Sequence, residues 1–105
     1  EGSLYFGRNI NECYKKQKVI AAELEELFGN KAKINRFDAD DVTDKSGESK
    51  ARHVDFIFND GSASRVICYD VSEKLHEKNN EQDSLYTVVN SKEFMGWLNE
   101  NMVNN

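Results

Sequence analysis

The sequence predicts an α+β or α/β domain, in which a sheet of about four strands with a central hairpin is covered by an N-terminal and a C-terminal helix. Apolar residues recur at helical spacing after Asn9 and again near the C-terminus, and they alternate with polar residues on both sides of Asp60-Gly61. A chain of 105 residues is long enough for one modest core, so residues 1–105 are predicted to form a single domain.

The N-terminal part of the chain is predicted to form an edge strand and then a helix. Residues 3–7 are a short apolar run. Asn9 is a candidate N-cap, and Glu12 three residues later completes a capping box. Gly29 is expected to end the helix, because glycine readily adopts the left-handed conformation found after many helices. The predicted apolar stripe consists of Ile10, Cys13, Tyr14, Gln17, Ile20, Ala21, Leu24, Leu27 and Phe28.

The middle of the chain is predicted to contain three strands. Residues 31–39 form a weaker strand at or near an edge, and residues 40–50 form a polar loop. The dipeptide Asp60-Gly61 then lies between alternating hydrophobic residues, which is a strong indication of a β-hairpin.

The register of this hairpin decides which side chains share a face. A two-residue turn at Asp60-Gly61 places His53 opposite Cys68. Asp55 and Asp70 then fall on the same side, because side chains alternate along a strand. Two chemistries stay open for this face: a Cys68 nucleophile beside His53, and a metal site built from His53, Cys68 and either Asp70 or Asp55.

The C-terminal third is predicted to contain a short helix, a strand and a final helix. Ser72 is a candidate N-cap, and residues 85–89 are a short β run. The connection between the hairpin and this strand is long enough for a parallel crossover, so a parallel last strand is left open. The final helix is predicted to start after Asn90 or Ser91, with an apolar side of Phe94, Trp97, Leu98 and Met102.

The charge of the chain argues against two classes of binding partner. The chain has 14 basic and 19 acidic residues and a formal charge of −5. This balance argues against direct binding of nucleic acid or an anionic membrane, because phosphate binding needs a basic face. No cofactor is predicted, and no apolar stretch approaches the roughly 20 residues that span a membrane.

Cys13 and Cys68 have neither zinc-ligand nor CxxC spacing. We therefore expect reduced thiols in a cytoplasmic protein, with a disulfide between them left open. Because the chain begins at Glu1, a removed leader also stays open.

One pattern on the hairpin carries a resemblance. Asp55, followed in the next strand by Asp70-Val71-Ser72, resembles the motif of PD-(D/E)XK nucleases. In that family two acids hold a divalent metal, and a lysine two residues after the second acid supports catalysis. Ser72 stands where that lysine is expected. The resemblance implies a metal-dependent nuclease using Asp55 and Asp70, or a nuclease-like scaffold without activity.

The size, acidity and layout of the whole chain resemble those of bacterial immunity proteins that neutralise toxins. These proteins are typically short, acidic, cytosolic single domains, and their toxins are often basic nucleases. The resemblance implies a non-enzymatic complex in which carboxylates cover the toxin's basic active site. Two acidic segments supply the predicted contacts: Asp38, Asp40, Asp41, Asp44 and Glu48 in the first, and Glu73, Glu77, Glu81 and Asp83 in the second.

A structural subunit or homodimer is the third alternative, with residues 3–7 or the edge of the hairpin buried between copies. Tyr5, Phe6, Tyr69 and Tyr86 are the aromatic residues of which one could be exposed, and an exposed aromatic side chain would mark an interface. The sequence does not fix the oligomeric state.

Overall fold

The computed structural model describes residues 2–41 and 44–88. The described residues form one antiparallel sheet in the order β1-β5-β4-β3-β2. The predicted α+β class is therefore confirmed, with five strands in place of about four, and the last strand is antiparallel. The elements are β1 Gly2–Tyr5, α1 Ile10–Phe28, a short 3-10 turn Gly29–Lys31, β2 Ala32–Asp40, β3 Lys50–Phe58, β4 Ala63–Asp70, α2 Glu73–Asn79 and β5 Ser84–Val88.

The predicted helix ends are confirmed, but the capping box is not formed, because the Asn9 N–H donates to the Phe6 carbonyl (2.9 Å) and the Glu12 carboxylate pairs with Lys15 (3.4 Å). The side chain of Asn9 accepts a hydrogen bond from the Glu12 backbone N–H (3.3 Å), and Gly29 directly follows the last residue of α1. Gly29 has φ of +52° and ψ of −128°, a positive φ outside the predicted left-handed helical region. The hydroxyl of Ser72 accepts from the Leu75 N–H (3.3 Å) and caps α2. The predicted C-terminal helix, with its Trp97 stripe, lies outside the described residues.

The hydrophobic core lies between α1 and one face of the sheet. Phe56 is its largest fully buried side chain, and its ring makes an edge contact with that of Phe28 (5.4 Å between centroids). Gln17 is also buried, and its amide donates to the backbone carbonyls of Arg52 (2.8 Å) and Val66 (2.9 Å). Leu27, which the stripe predicts to be buried, is 44% exposed, since Phe28 beside it makes the contacts with the sheet.

The hairpin has a three-residue loop, which corrects its predicted register. The Phe58 N–H donates to the Ser62 carbonyl (2.8 Å), and the Gly61 N–H donates back to Phe58 (3.0 Å). Gly61 has φ of +89°, a conformation that favours glycine and that follows the type I turn of such loops. Asp60 supports the turn, because its carboxylate accepts from both the N–H and the hydroxyl of Ser62.

This displacement by one residue exchanges the faces of β4 relative to β3. His53 lies opposite Ile67, and Cys68 lies opposite Arg52. The prediction that His53, Asp55, Cys68 and Asp70 share a face is therefore wrong: His53 and Asp55 lie on the face away from α1, whereas Cys68 and Asp70 lie on the α1 face.

The corrected register also brings the two cysteines together. Cys68 on β4 now points at α1, where Cys13 occupies the apolar stripe, and the two form a disulfide with a Cα–Cα distance of 6.1 Å. Both residues are fully buried. The prediction of reduced thiols is therefore wrong. Cys68 also has no free thiol that could act as the nucleophile considered above.

The sheet order limits how copies of the chain can pair edge to edge. β3 and β4 are interior strands, flanked by β2 and β5. The hairpin edge considered for a homodimer is therefore already hydrogen-bonded within the chain, and the edge strands of the described sheet are β1 and β2.

Candidate functional site

The two predicted acidic segments meet at one end of the sheet. In the strand register Asp40 lies beside Lys50, and Lys50 lies beside Asp70, so the ends of β2 and β4 adjoin the start of β3. We call this region, residues 38–41, 44–50 and 69–84, the acidic end. All nine carboxylates predicted to contact a partner belong to it: Asp38, Asp40, Asp41, Asp44, Glu48, Glu73, Glu77, Glu81 and Asp83.

A polar cleft of about 380 Å³ joins the two segments directly. We call it the loop cleft. Glu48 of the first segment lines it together with Glu73, Glu81 and Asp83 of the second. Asp70 adds a fifth carboxylate, and Arg8 lines the same cleft and forms an ion pair with Glu73. Residues separated widely in the chain thus form one predominantly acidic surface.

Asp44, one of the nine predicted contacts, is buried and serves the scaffold. Its Oδ1 accepts from the N–H (3.0 Å) and hydroxyl (2.7 Å) of Ser46, and its Oδ2 accepts from the N–H (3.1 Å) and hydroxyl (2.5 Å) of Ser49. The Ser49 oxygen in turn accepts from the Ser72 N–H (2.8 Å). The carboxylate therefore fixes the β2–β3 loop against the start of α2.

Asp83 has a similar role in the second segment. Its Oδ1 accepts from the Val71 N–H (2.8 Å), and its own N–H donates to the Gly7 carbonyl (2.7 Å). Burial raises the pKa of this carboxyl above its ordinary value, against the lowering effect of the Val71 bond. Asp44 and Asp83 hold the acidic end in shape, and six of the other acids there are exposed: Asp38, Asp40, Glu48, Glu73, Glu77 and Glu81.

Most exposed acids at this end are held in ion pairs on the surface. Pairs of this kind contribute little to stability, because water screens them and ordering the side chains costs entropy. Glu77 and Glu81 are exposed and have no ion-pair partner in the part of the chain that the structure describes. The pairs are Asp38–Arg52 (3.0 Å), Asp40–Lys50 (2.5 Å), Glu48–Lys74 (3.6 Å) and Glu73–Arg8.

A second, larger cleft of about 670 Å³ opens on the sheet face away from α1. We call it the alanine cleft. Its floor is a row of cross-strand neighbours: Ala39 on β2, Ala51 on β3 and Tyr69 on β4. The row continues through Ser84 on β5 to Tyr5 on β1. Two alanines beside larger side chains leave a depression.

The walls of the alanine cleft are aromatic and acidic. His53 lines one side, with its ring stacked on Phe37 (4.5 Å between centroids). Asp41 and Glu81 line the cleft as well, and Glu81 also lines the loop cleft. Burial, and after it the negative charge of Asp41, raises the pKa of Tyr69.

Sequence reasoning missed this cleft, because the floor depends on a register that places Ala39 beside Ala51. The available indication was aromatic: Tyr5 and Tyr69 were both candidates for an exposed ring. Tyr5 is 69% exposed, and both tyrosines line the cleft.

Asp55 and Asp70 do not form the metal site that the nuclease resemblance implies. Asp55 pairs with Arg65 in the register and Asp70 with Lys50, so the two acids lie on opposite faces of the sheet and cannot share one metal ion. Asp55 instead contacts His53 (3.6 Å) and Arg65 (3.4 Å). Within residues 2–41 and 44–88, no group of three or more His, Cys, Asp and Glu side chains is arranged to hold a metal ion.

The chain matches no protein-family model, and no curated protein or solved structure is significantly similar to it. Neither helix in the described part of the chain is long and apolar enough to cross a membrane.

The Asp44 cluster gives the stability of the acidic end a defined pH dependence. The hydroxyls of Ser49 and then Ser46 hold the pKa of Asp44 well below its ordinary value. A carboxyl with a lowered folded-state pKa stabilises the fold above its unfolded pKa of about 4, and this stabilisation is lost as the pH falls through the folded-state pKa. We expect Asp44→Asn to be less stable than the wild type in urea unfolding at neutral pH, with a difference that narrows at about pH 3.

Asp60→Asn is the matched control for this prediction. Asp60 accepts the same two bonds from the serine two residues on, and Ser62 lowers its pKa as well. Among the described residues Asp60 has no second serine partner equivalent to Ser49, so the loss of stability in Asp60→Asn should be the smaller one. A difference for Asp44→Asn that does not change with pH would contradict the prediction.

Proposed function

We propose that this protein is a non-enzymatic binding module that neutralises a basic protein partner by occlusion. The immunity-protein resemblance implies that the partner is a bacterial toxin domain, with a nuclease as one class. The observation that carries the proposal is the convergence of two acidic segments, separated in the sequence, on one end of the sheet.

The charge of this surface suits a basic partner. With a net charge of −5, the chain attracts a cationic protein at long range, and carboxylates clustered at one end orient the encounter. The exposed ion pairs at this end are weak in water, so Glu48 and Glu73 can exchange Lys74 and Arg8 for cations of a partner at small cost.

The hydrogen bonds made by Asp44 and Asp83 also favour tight binding. Asp44 and Asp83 tie the adjoining loops to the sheet and to α2 through buried and partly buried hydrogen bonds. A surface that is already ordered loses less entropy on binding than a mobile one. Occlusion of an active site requires a surface that keeps its shape.

The cytoplasmic location stays a prediction, and the disulfide weighs against it. Disulfides are rare in cytosolic proteins and common in oxidising compartments. The Cys13–Cys68 bond therefore favours a partner that is met outside the reducing cytosol. Fractionation of the source cells, with detection of the chain in each fraction, tests the location.

The proposal is tested by charge reversal. The chain is immobilised, a lysate of the source cells is passed over it, and the retained protein is purified and titrated against variants. We expect Glu48→Lys and Glu77→Lys each to weaken its binding by roughly tenfold, with a strong dependence on salt. We also expect saturating wild-type chain to abolish the partner's toxic activity.

Glu26→Lys is the matched control. Glu26 is exposed near the C-terminal end of α1, two residues before Phe28, at the hairpin end of the molecule. This variant has the same change in net charge and should bind as the wild type does. The proposal fails if all three variants bind equally, or if the retained protein stays fully active in the complex.

A further inference from the structure

We infer that the alanine cleft receives an arginine side chain of the basic partner. The inference rests on the proposed function, which it deepens by naming the group that anchors the complex. It follows from the shape of the cleft, from the chemistry of its walls and from its position beside the loop cleft.

The shape suits a side chain inserted from outside. The floor consists of the methyl groups of Ala39 and Ala51, with the Tyr69 ring as the next side chain in the row. A volume of about 670 Å³ lies within the range of ligand-binding pockets, roughly 300–1,000 Å³. It accommodates an arginine side chain together with part of the segment that carries it.

The walls select a planar cation. Tyr5, Tyr69 and His53 line the cleft with aromatic rings, and the carboxylates of Asp41 and Glu81 add negative charge to its walls. A guanidinium group stacks on aromatic rings and donates to carboxylates in the same plane, while its aliphatic stem packs on apolar side chains. None of the described residues that line the cleft is lysine or arginine. An anion would therefore find no lysine or arginine partner among these described residues.

The position joins this cleft to the rest of the acidic surface. Glu81 and Val71 line both the alanine cleft and the loop cleft, so the two openings are adjacent. An arginine anchored in the alanine cleft thus brings neighbouring basic residues of the same partner over the loop cleft. Buried arginines of this kind often dominate the binding energy of an interface.

The chemistry is tested without the partner by NMR. The uniformly ¹⁵N-labelled chain is titrated with the peptide acetyl-Gly-Arg-Gly-amide and with the same peptide containing citrulline, which is neutral and nearly the same shape. We expect saturable shifts at the amides of Ala39, Ala51, Tyr69 and Glu81 with the arginine peptide, and binding of the citrulline peptide weaker by at least about tenfold. Equal responses to the two peptides, or shifts confined to other residues, would overturn the inference.

The geometry is tested by filling the floor. Ala39→Leu places a larger side chain in the cleft. Asn35→Leu is the matched control, because Asn35 lies on the same face of β2 as Ala39 but four residues away, beyond Phe37. We expect Ala39→Leu to weaken both the arginine peptide and the retained partner by about tenfold, while Asn35→Leu binds both as the wild type does. The ¹⁵N spectrum of each variant verifies its fold.

The two proposals fail in different ways. Binding that survives Ala39→Leu but falls with Glu48→Lys and Glu77→Lys rejects the arginine cleft and supports the acidic module. Arginine-specific shifts in the cleft, with a partner that is insensitive to both charge reversals, support the cleft and reject the proposed function.

Discussion

Replacing Cys13 and Cys68 by alanine is expected to lower the free energy of unfolding by about 4 kcal/mol. The disulfide connects residues 55 positions apart, so it removes much of the chain entropy of the unfolded state. It is also buried at the contact between α1 and β4, where both sulfurs fill the core. Urea unfolding of the double variant against the wild type measures the difference.

Two further measurements keep this prediction testable if the variant does not fold. The first is urea unfolding of the wild type with and without a reductant, which should show a loss of similar size. The second is alkylation of the denatured, unreduced chain with iodoacetamide, followed by mass spectrometry. Incorporation of two alkyl groups, or a stability change below about 1 kcal/mol, would contradict the disulfide's role.

Replacing Phe56 by alanine is expected to cost about 3–5 kcal/mol. Phe56 is fully buried on β3, and its ring makes an edge contact with that of Phe28 on α1. Removing the ring loses its transfer free energy and leaves a cavity, because the sheet and the disulfide-bonded helix cannot close over the space. Urea or thermal unfolding measures the loss.

Phe37→Ala is the matched control for Phe56→Ala. Phe37 is 39% exposed on the opposite face of the sheet, so the same truncation there should cost less than half as much. Phe56→Leu provides a milder change if the alanine variant does not fold, and its cost should fall between the two. Equal losses for Phe37→Ala and Phe56→Ala would mean that the core is not where the structure has it.

The sequence predicts this fold best where the information is local. Asn9, Gly29 and Ser72 mark helix ends through bonds to residues within four positions, so the sequence alone suffices to place them. The hairpin is equally evident from Asp60-Gly61. The register of the hairpin is not evident, because an Asp-Gly pair fits loops of two or three residues. The hydrogen bond from the Phe58 N–H to the Ser62 carbonyl identifies the three-residue loop.

The difference of one residue in the length of the hairpin loop decides which side chains share a face. With the shorter loop, Cys68 and Asp70 would share a face with His53 and Asp55, and a catalytic site is the natural inference. With the longer loop, Cys68 turns to Cys13 and the site disappears. Errors of register are therefore the main reason why the candidate chemistry could not be predicted from the sequence.

The acidic end was predictable in part. The nine carboxylates are visible in the sequence as two segments, but their convergence depends on strand pairing across the whole sheet. The burial of Asp44 depends on Ser49 and Ser72, and a run of acidic residues gives no sign of which one will be enclosed. The alanine cleft depends on Ala39 and Ala51, which carry no chemical signature of their own.

The pairing of β1 with β5 has a consequence for the order in which the chain assembles. β2, β3 and β4 follow one another in the chain and are neighbours in the sheet, so they can form a meander as soon as they are synthesised. β1 is made first, yet Gly2 finds its neighbour only at Thr87, 85 positions later. Of the five described strands, β1 is therefore synthesised first but can join the sheet only once β5 has been made. Until β5 has paired, β4 presents an unpaired edge to any extended segment nearby.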